Sequence, residues 1–257
     1  MRPINTGARE WDAETYDAVS DPQFEWGTEV LERLELRGDE AAVDAGCGSG
    51  RVTAALVERL SRGRVLAVDG SEAMVEKAKE RLGERADYLV SDLVELELDE
   101  PVDLVFSTAT FHWIQDHDLL FRRLRAALRP GGRLVAQCGG QGNVAAHAEA
   151  IAAVASRPEF APHLGAAKGL WNFASPEETE PRLRAAGFED VRCWLEPKPV
   201  QPEQPLEFLR VVTLGPLLDR LPPQQHLPFA EAVLEQHRQP LVLDYVRLNI
   251  EAAASDA

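Results

Sequence analysis

The chain is poor in cysteine, in lysine and in long apolar runs. Its three cysteines, Cys47, Cys138 and Cys193, stand far apart, which excludes a disulfide framework and a spaced metal site. Four lysines stand against 23 arginines, a bias that fits genomic base composition better than a functional demand. Excess positive charge is absent: the formal net charge is −16, so nucleic acid and anionic membranes are repelled rather than bound. No apolar stretch approaches the ~20 residues that cross a bilayer. The opening MRPINTGAREWDAETYD lacks the apolar core of a secretory signal. These absences lead to the expectation of a cytoplasmic protein.

What is present is 257 residues, 45% of them apolar, enough for one large domain with a buried core. Short apolar runs alternate with amphipathic stretches from about residue 40 to 138. Ala41–Ala45, Val65–Val68, Tyr88–Val90, Val102–Phe106 and Leu134–Cys138 read as strands. Between them, Val52, Leu56 and Leu60 mark one helix face, as do Met74, Ala78 and Leu82 behind a capping Ser71, and Leu120, Leu124 and Leu128 before Pro130-Gly131-Gly132. Strands separated by helices predict an α/β fold, a parallel sheet covered on both faces. Further on, 143–175 reads as helical and irregular. Ser175-Pro176-Glu177-Glu178 starts a helix that Gly187 stops. Val191–Leu195 and Leu241–Ile250 read as strands, and the terminal AAASDA as frayed. Arg122, Arg123 and Arg125 read as a solvated helix face.

The first strand runs into VDAGCGSG, residues 43–50. Strand, glycine-rich turn and helix in that order form a ligand site beyond the strand's carboxyl end, where bare backbone approaches the ligand. The dinucleotide pattern G-x-G-x-x-G fails, because Arg51 stands at its third glycine; this disfavours a nicotinamide oxidoreductase. The pattern present is Asp44, Gly46, Gly48, Gly50.

That motif resembles the first motif of S-adenosylmethionine-dependent methyltransferases with the Rossmann-like fold. LAVDGSEAM, LVSDL and LRPGGRL follow in family order. The resemblance implies a seven-stranded, mostly parallel sheet with helices on both faces and a small helical cap. It implies S-adenosyl-L-methionine as cofactor, with Asp69 on the ribose hydroxyls, Asp92 and Leu93 at the adenine, Met74 against its face, and Asp44, Gly46, Gly48, Gly50 and Ser107 around the remainder. Asp44 as a support of the glycine loop, Met74 as core, Asp69 as a helix cap and Asp92 as a turn residue are the alternative readings.

WDAETYD, STATFHWIQDHDLLFRRLRAALRPGG and EFLRVVTLGPLLDRL are similar to the trans-aconitate methyltransferase branch of the type 11 small-molecule methyltransferases. This adds Tyr16 to the cofactor pocket, with Trp11 beside it. The aromatics of the variable segments, Trp11, Trp26 and Trp171, with Trp113 next to His112, suggest an apolar or planar acceptor pocket or else fill the core between cap and sheet. The resemblance frames one domain over 1–257: 1–38 closing over the cofactor, 39–142 the core, 143–240 the cap, 241–251 the last strand. His112 stands where that branch usually carries glutamine. It reads either as a general base, needed for a hydroxyl, phenol or amine acceptor, or as a residue that lines the cofactor pocket or bonds a backbone group; a carboxylate acceptor is already ionised and needs no base. A polyacid acceptor calls for inward arginines, with Arg157, Arg210 and Arg220 as candidates. The expected activity is in-line methyl transfer to a small-molecule carboxylate or hydroxyl oxygen by proximity and orientation. The alternative is a cofactor-binding protein that acts through a partner. A nucleic-acid methyltransferase is disfavoured by charge and by STAT in place of the N/D-P-P-Y/F tetrapeptide.

Overall fold

Ala41–Ala45 is buried along its whole length, and a strand with no exposed face must be covered on both sides. The computed structural model, which describes residues 21–165 and 171–256, shows how. Strands β1 (Ala41–Ala45), β2 (Arg64–Asp69), β3 (Asp87–Val90), β4 (Val102–Thr108), β5 (Leu128–Gly139), β6 (Phe188–Pro197) and β7 (Val246–Ala254) form one sheet in the order β3-β2-β1-β4-β5-β7-β6. β1 to β5 are parallel, and β7 lies antiparallel between β5 and β6. Strand order reverses between β1 and β4, the place where an open α/β sheet binds ligands.

Alternation along β4 sends Phe106 to one face and Val105 to the other. On the first face, α1 (Asp21–Glu32) and α2 (Arg51–Arg59) bury Val30, Leu31, Leu56 and Leu60 against Leu104 and Phe106. Gly27 lets α1 come close: a Cβ there would stand 2.7 Å from Val52 and 3.2 Å from Thr108. α3 (Glu72–Leu82) starts at Ser71, whose hydroxyl accepts the Met74 N–H at 3.3 Å. On the second face, α4 (His117–Ala127) packs Leu120, Phe121 and Leu124 into the cluster that holds Val105, Leu134 and Ile250. α5 (Ala145–Ala155), α6 (Pro176–Ala185) and α7 (Pro223–Glu235) complete the long helices of the described chain. α6 has the expected capping box, Ser175 Oγ accepting the Glu178 N–H at 3.2 Å and Glu178 Oε2 accepting the Ser175 N–H at 3.0 Å. α5, α7 and the short turns between them share a second core around Ile151, Leu209, Leu217 and Phe229, which is the cap. Among the described residues, no helix is long and apolar enough to cross a membrane.

Four expectations need correction. α4 ends at Ala127, and Leu128 pairs with Val102 as the first residue of β5; its apolar side chain serves the strand rather than the helix. The last strand is Val246–Ala254, not Leu241–Ile250. Leu243 contributes only a bridge to Val200, whereas Ala252 and Ala253 pair with Leu134 and Arg133 of β5. The terminal alanines are therefore not frayed, and Ala254 is fully buried. Arg125 explains this: its guanidinium donates to the carbonyls of Gly187 (2.9 Å) and Ser255 (2.7 Å), so it staples the chain end rather than facing solvent.

Candidate active site

A cavity of about 500 Å³ opens beyond the carboxyl ends of β1, β2 and β4, within the size range of small-molecule sites. One side of it is built from the glycine loop. Gly46, Gly48 and Gly50 all take positive φ (+89°, +52°, +81°), a conformation that side-chain-bearing residues resist. Each is bare for a further reason. A Cβ on Gly46 would stand 2.0 Å from Thr110 Oγ1, one on Gly50 would press on Ala78 at 3.1 Å, and Gly48 faces open cavity.

Asp69 locks this loop. Its two oxygens accept the N–H groups of Gly48 and Ser71, each at 2.9 Å. The same carboxylate lines the cavity, where an ionised group is a strong acceptor for hydroxyls. Asp92 lines it as well and accepts the Val94 N–H at 3.1 Å through Oδ1. Leu93 and Met74 supply buried apolar wall beside it. Bare backbone, two acids and an apolar slot suit an adenosyl group.

Asp44, Gly50 and Ser107 stand off the cavity. Asp44 is 2% exposed and accepts the Thr53 hydroxyl at 2.7 Å. Burial raises its pKa from 3.8 to about 7, and the nearby charge of Asp69 adds to the rise. The buried hydroxyl of Ser107 donates to the Ala45 carbonyl at 2.6 Å, tying β4 to β1. Arg51, the residue that breaks the dinucleotide pattern, pairs with Asp21 at 2.7 Å and covers the Phe24 ring at 4.5 Å. It thereby holds α1 beside the glycine loop. Trp11 and Tyr16 lie outside the described residues.

The opposite side of the cavity is made of side chains from distant parts of the chain. His112, on the short helical turn Phe111–Trp113, lines it at 7% exposure. Its Nδ1 accepts the Gly139 N–H at 3.2 Å, which places the proton of the neutral ring on Nε2. Burial, with the positive charge of Arg247 next, holds its pKa well below 6.5. Trp113, Trp171 and Phe173 line the same side, with Trp171 and Phe173 stacked at 5.4 Å. Trp26 stands behind the wall, 5.2 Å from Tyr245 and under the Arg247 guanidinium at 5.0 Å. Two residues of the lining, Ala109 (φ +58°) and Val144 (φ +46°), hold left-handed backbone without being glycine. Such strain gathers at functional sites.

The cap reaches the cavity through a π-helical turn, Leu209–Thr213, which brings Val212 and Thr213 into the lining. Thr213 donates to the Leu209 carbonyl (3.1 Å), so it accepts from Nε2 of the fully buried His147 (2.9 Å). His147 Nδ1 then accepts from His237 at 3.0 Å. Burial drives the His147 pKa down to about 3, helped by His237.

Sequence reasoning missed Arg247, Asn143, Gln23 and Thr110, all of which line the cavity. Arg247 left a signal: it is the one basic residue inside the apolar run LVLDYVRLNI. The arginines suggested instead are occupied elsewhere or absent from the lining: Arg210 pairs with Glu207 at 3.0 Å, Arg220 donates to the Leu164 carbonyl at 2.9 Å, and Arg157 does not line the cavity.

Comparison with known proteins agrees with this geometry. A methyltransferase-domain family model matches residues 43–136. A trans-aconitate 2-methyltransferase of Variovorax paradoxus is 32% identical over 217 residues, 83% of each chain. The chain belongs to the S-adenosylmethionine-dependent methyltransferases. A second trans-aconitate 2-methyltransferase, of Methylobacterium nodulans, is 32% identical over 72% of this chain and 67% of its own. Among solved structures, phosphoethanolamine N-methyltransferase 2 of Haemonchus contortus, in complex with phosphomonomethylethanolamine and S-adenosylhomocysteine, superposes with a TM-score of 0.62. At 20% identity over 95% of this chain and 57% of that one, the likeness concerns the fold. This methyltransferase is thus an enzyme whose cofactor is S-adenosyl-L-methionine. A purely partner-directed binding role gains no support from these relatives.

Proposed function

We propose that the enzyme transfers a methyl group to a carboxylate oxygen of a small organic acid of the trans-aconitate type. The observation that carries this reading is the fixed ring of His112. An imidazole whose Nδ1 already accepts a backbone N–H, and whose pKa lies well below 6.5, presents a donor to the cavity rather than a base. An acceptor that must first lose a proton is poorly served there. A carboxylate arrives ionised. The trans-aconitate 2-methyltransferases among the relatives support the same class.

When bound, the cofactor would offer an activated methyl carbon to the acceptor oxygen and keep the electron pair of the broken bond on its sulfur, and an ionised carboxylate would leave no proton for a side chain to remove. The side chains position and exclude water. Asp69 and Asp92 hold the sugar and base, Gly46 and Gly48 give backbone access, and Met74 and Leu93 pack the adenine. The aromatic wall of Trp113, Trp171 and Phe173 dries the reacting end. Orientation of this kind supplies ~7–11 kcal/mol in favourable intramolecular cases.

The test is incubation with labelled S-adenosylmethionine and a panel of di- and tricarboxylic acids, phenols and amines. Ester formation with an acid is expected. Turnover confined to phenols or amines would overturn the reading.

A further inference from the structure

Three polar side chains meet around Gly139 at the end of β5. His112 Nδ1 takes the Gly139 N–H. Asn143 Nδ2 and the Phe173 ring fill the space a Cβ on Gly139 would need, at 2.8 and 2.7 Å. Arg247 is the residue of β7 registered opposite Gly139. Backbone donors fix how two of them turn. The Gly139 N–H forces the His112 proton onto Nε2, and the Val246 N–H, bonded to Asn143 Oδ1 at 2.9 Å, forces the Asn143 amide to present its NH2 group. Among the described residues, neither His112 Nε2 nor Asn143 Nδ2 has a protein partner, and both residues line the cavity. Arg247, 2% exposed and with its guanidinium over the Trp26 ring at 5.0 Å, lines it as well. Its charge is felt at His112, whose protonation it opposes.

We infer that His112, Asn143 and Arg247 form an anion subsite that holds a carboxylate of the acceptor other than the one methylated, with Arg247 as its specificity-determining residue. The inference rests on the carboxylate reading of the function. The chemistry is that of charge-assisted hydrogen bonds in a dry site, where a cation and two neutral donors match the acceptor-only oxygens of a carboxylate. It follows that the preferred acceptor carries at least two carboxylates. His112 then acts as a donor to substrate, and Trp26 is a positioning residue for Arg247.

The test is calorimetry of trans-aconitate and of its saturated analogue tricarballylate, with S-adenosylhomocysteine already bound. Wild-type protein is expected to bind both acids. Arg247→Gln is expected to weaken both by about 30- to 100-fold while leaving S-adenosylhomocysteine affinity within about twofold, and Arg247→Lys to recover part of the loss. Asn143→Asp keeps the acceptor for Val246 N–H but adds a negative charge, and is expected to weaken acid binding without unfolding the strand end. In turnover, KM rises and kcat at saturation holds. Unchanged acid affinity in Arg247→Gln and Asn143→Asp, a parallel loss of S-adenosylhomocysteine binding, or no binding of either acid by wild type would each overturn the subsite. The two readings separate cleanly. Esterified acid with an unchanged KM in Arg247→Gln sinks the subsite alone. Acid binding abolished by Arg247→Gln, with no ester formed from any acid, sinks carboxylate methylation alone.

Discussion

The two sides of the cavity are made of different material. The cofactor side comes from residues 46–94, a stretch that returns to the same sheet edge three times, and it works through backbone and acids: Gly46 and Gly48, the N–H groups anchored on Asp69, and Asp92. The acceptor side takes one or two side chains each from α1, the Phe111–Trp113 turn, the start of α5, the 171–173 segment, the π-helical turn and β7. On the proposed reading, one side takes a constant molecule with short-range geometry. The other is an assembly of long-range contacts that can be altered piece by piece without disturbing the first, which is how a shared fold hosts many acceptors.

Gly46→Ala should break the cofactor side most severely. It combines a positive φ with a Cβ 2.0 Å from Thr110 Oγ1, and a cost of roughly 2–4 kcal/mol is expected. Thermal denaturation should show it, with S-adenosylhomocysteine binding lost; an unchanged melting temperature would mean the loop is looser than described. Asp69→Ala removes the acceptor of two backbone N–H groups along with the proposed ribose acceptor. Cofactor affinity should fall by about 100-fold or more, in contrast to Arg247→Gln, which spares it.

Two buried groups behind the cavity walls should also answer pH with opposite signs. Asp44 is raised from 3.8 to about 7 by burial, so between those values the folded state holds more protons than the unfolded one, and this group lowers stability as pH rises. His147 is lowered from 6.5 to about 3. The unfolded state holds more protons across that window, so this group raises stability as pH rises and withdraws it on acidification. Each shift corresponds to a few kcal/mol, on the order of 4 at full extent. Asp44→Asn should therefore remove a falling slope between about pH 4 and 7, and His147→Gln a rising one between about pH 3 and 6.5. Urea denaturation at stepped pH reads both, and slopes unchanged by either variant would contradict the burial of these groups.

The smallest effect is expected at His112. His112→Ala should reduce kcat less than about tenfold, short of what loss of a general base costs. The kcat profile should stay flat between about pH 6 and 8, because burial keeps the ring neutral throughout. A hundredfold loss with an acid limb near 6.5 would restore it as a base.

Within the sheet, elements formed by adjacent residues were readable beforehand. Ala41–Ala45, the Ser71 cap and the Ser175 box occur where pattern and capping chemistry put them. The failures share a cause. Leu128 fits a helix face by spacing but is claimed by β5, and the segment 252–255 looks weak by composition but is held by β5, β6 and Arg125. Trp26 reads as pocket lining because aromatics often are, yet Arg247 stands between it and the cavity's contents. None of these outcomes depends on the residues' near neighbours in the chain.

From its residues alone, then, this protein was committed to a wound sheet, a glycine bend and two acids at strand ends, because strand period, left-handed backbone and capping act over a handful of positions. Which imidazole nitrogen carries the proton, which way Asn143 turns, and that Arg247 rather than another arginine enters the cavity were decided by tertiary packing. Those choices depend on backbone donors and ring faces contributed from positions as far as 27, 103 and 221 residues away. Short-range rules carry no information over such separations.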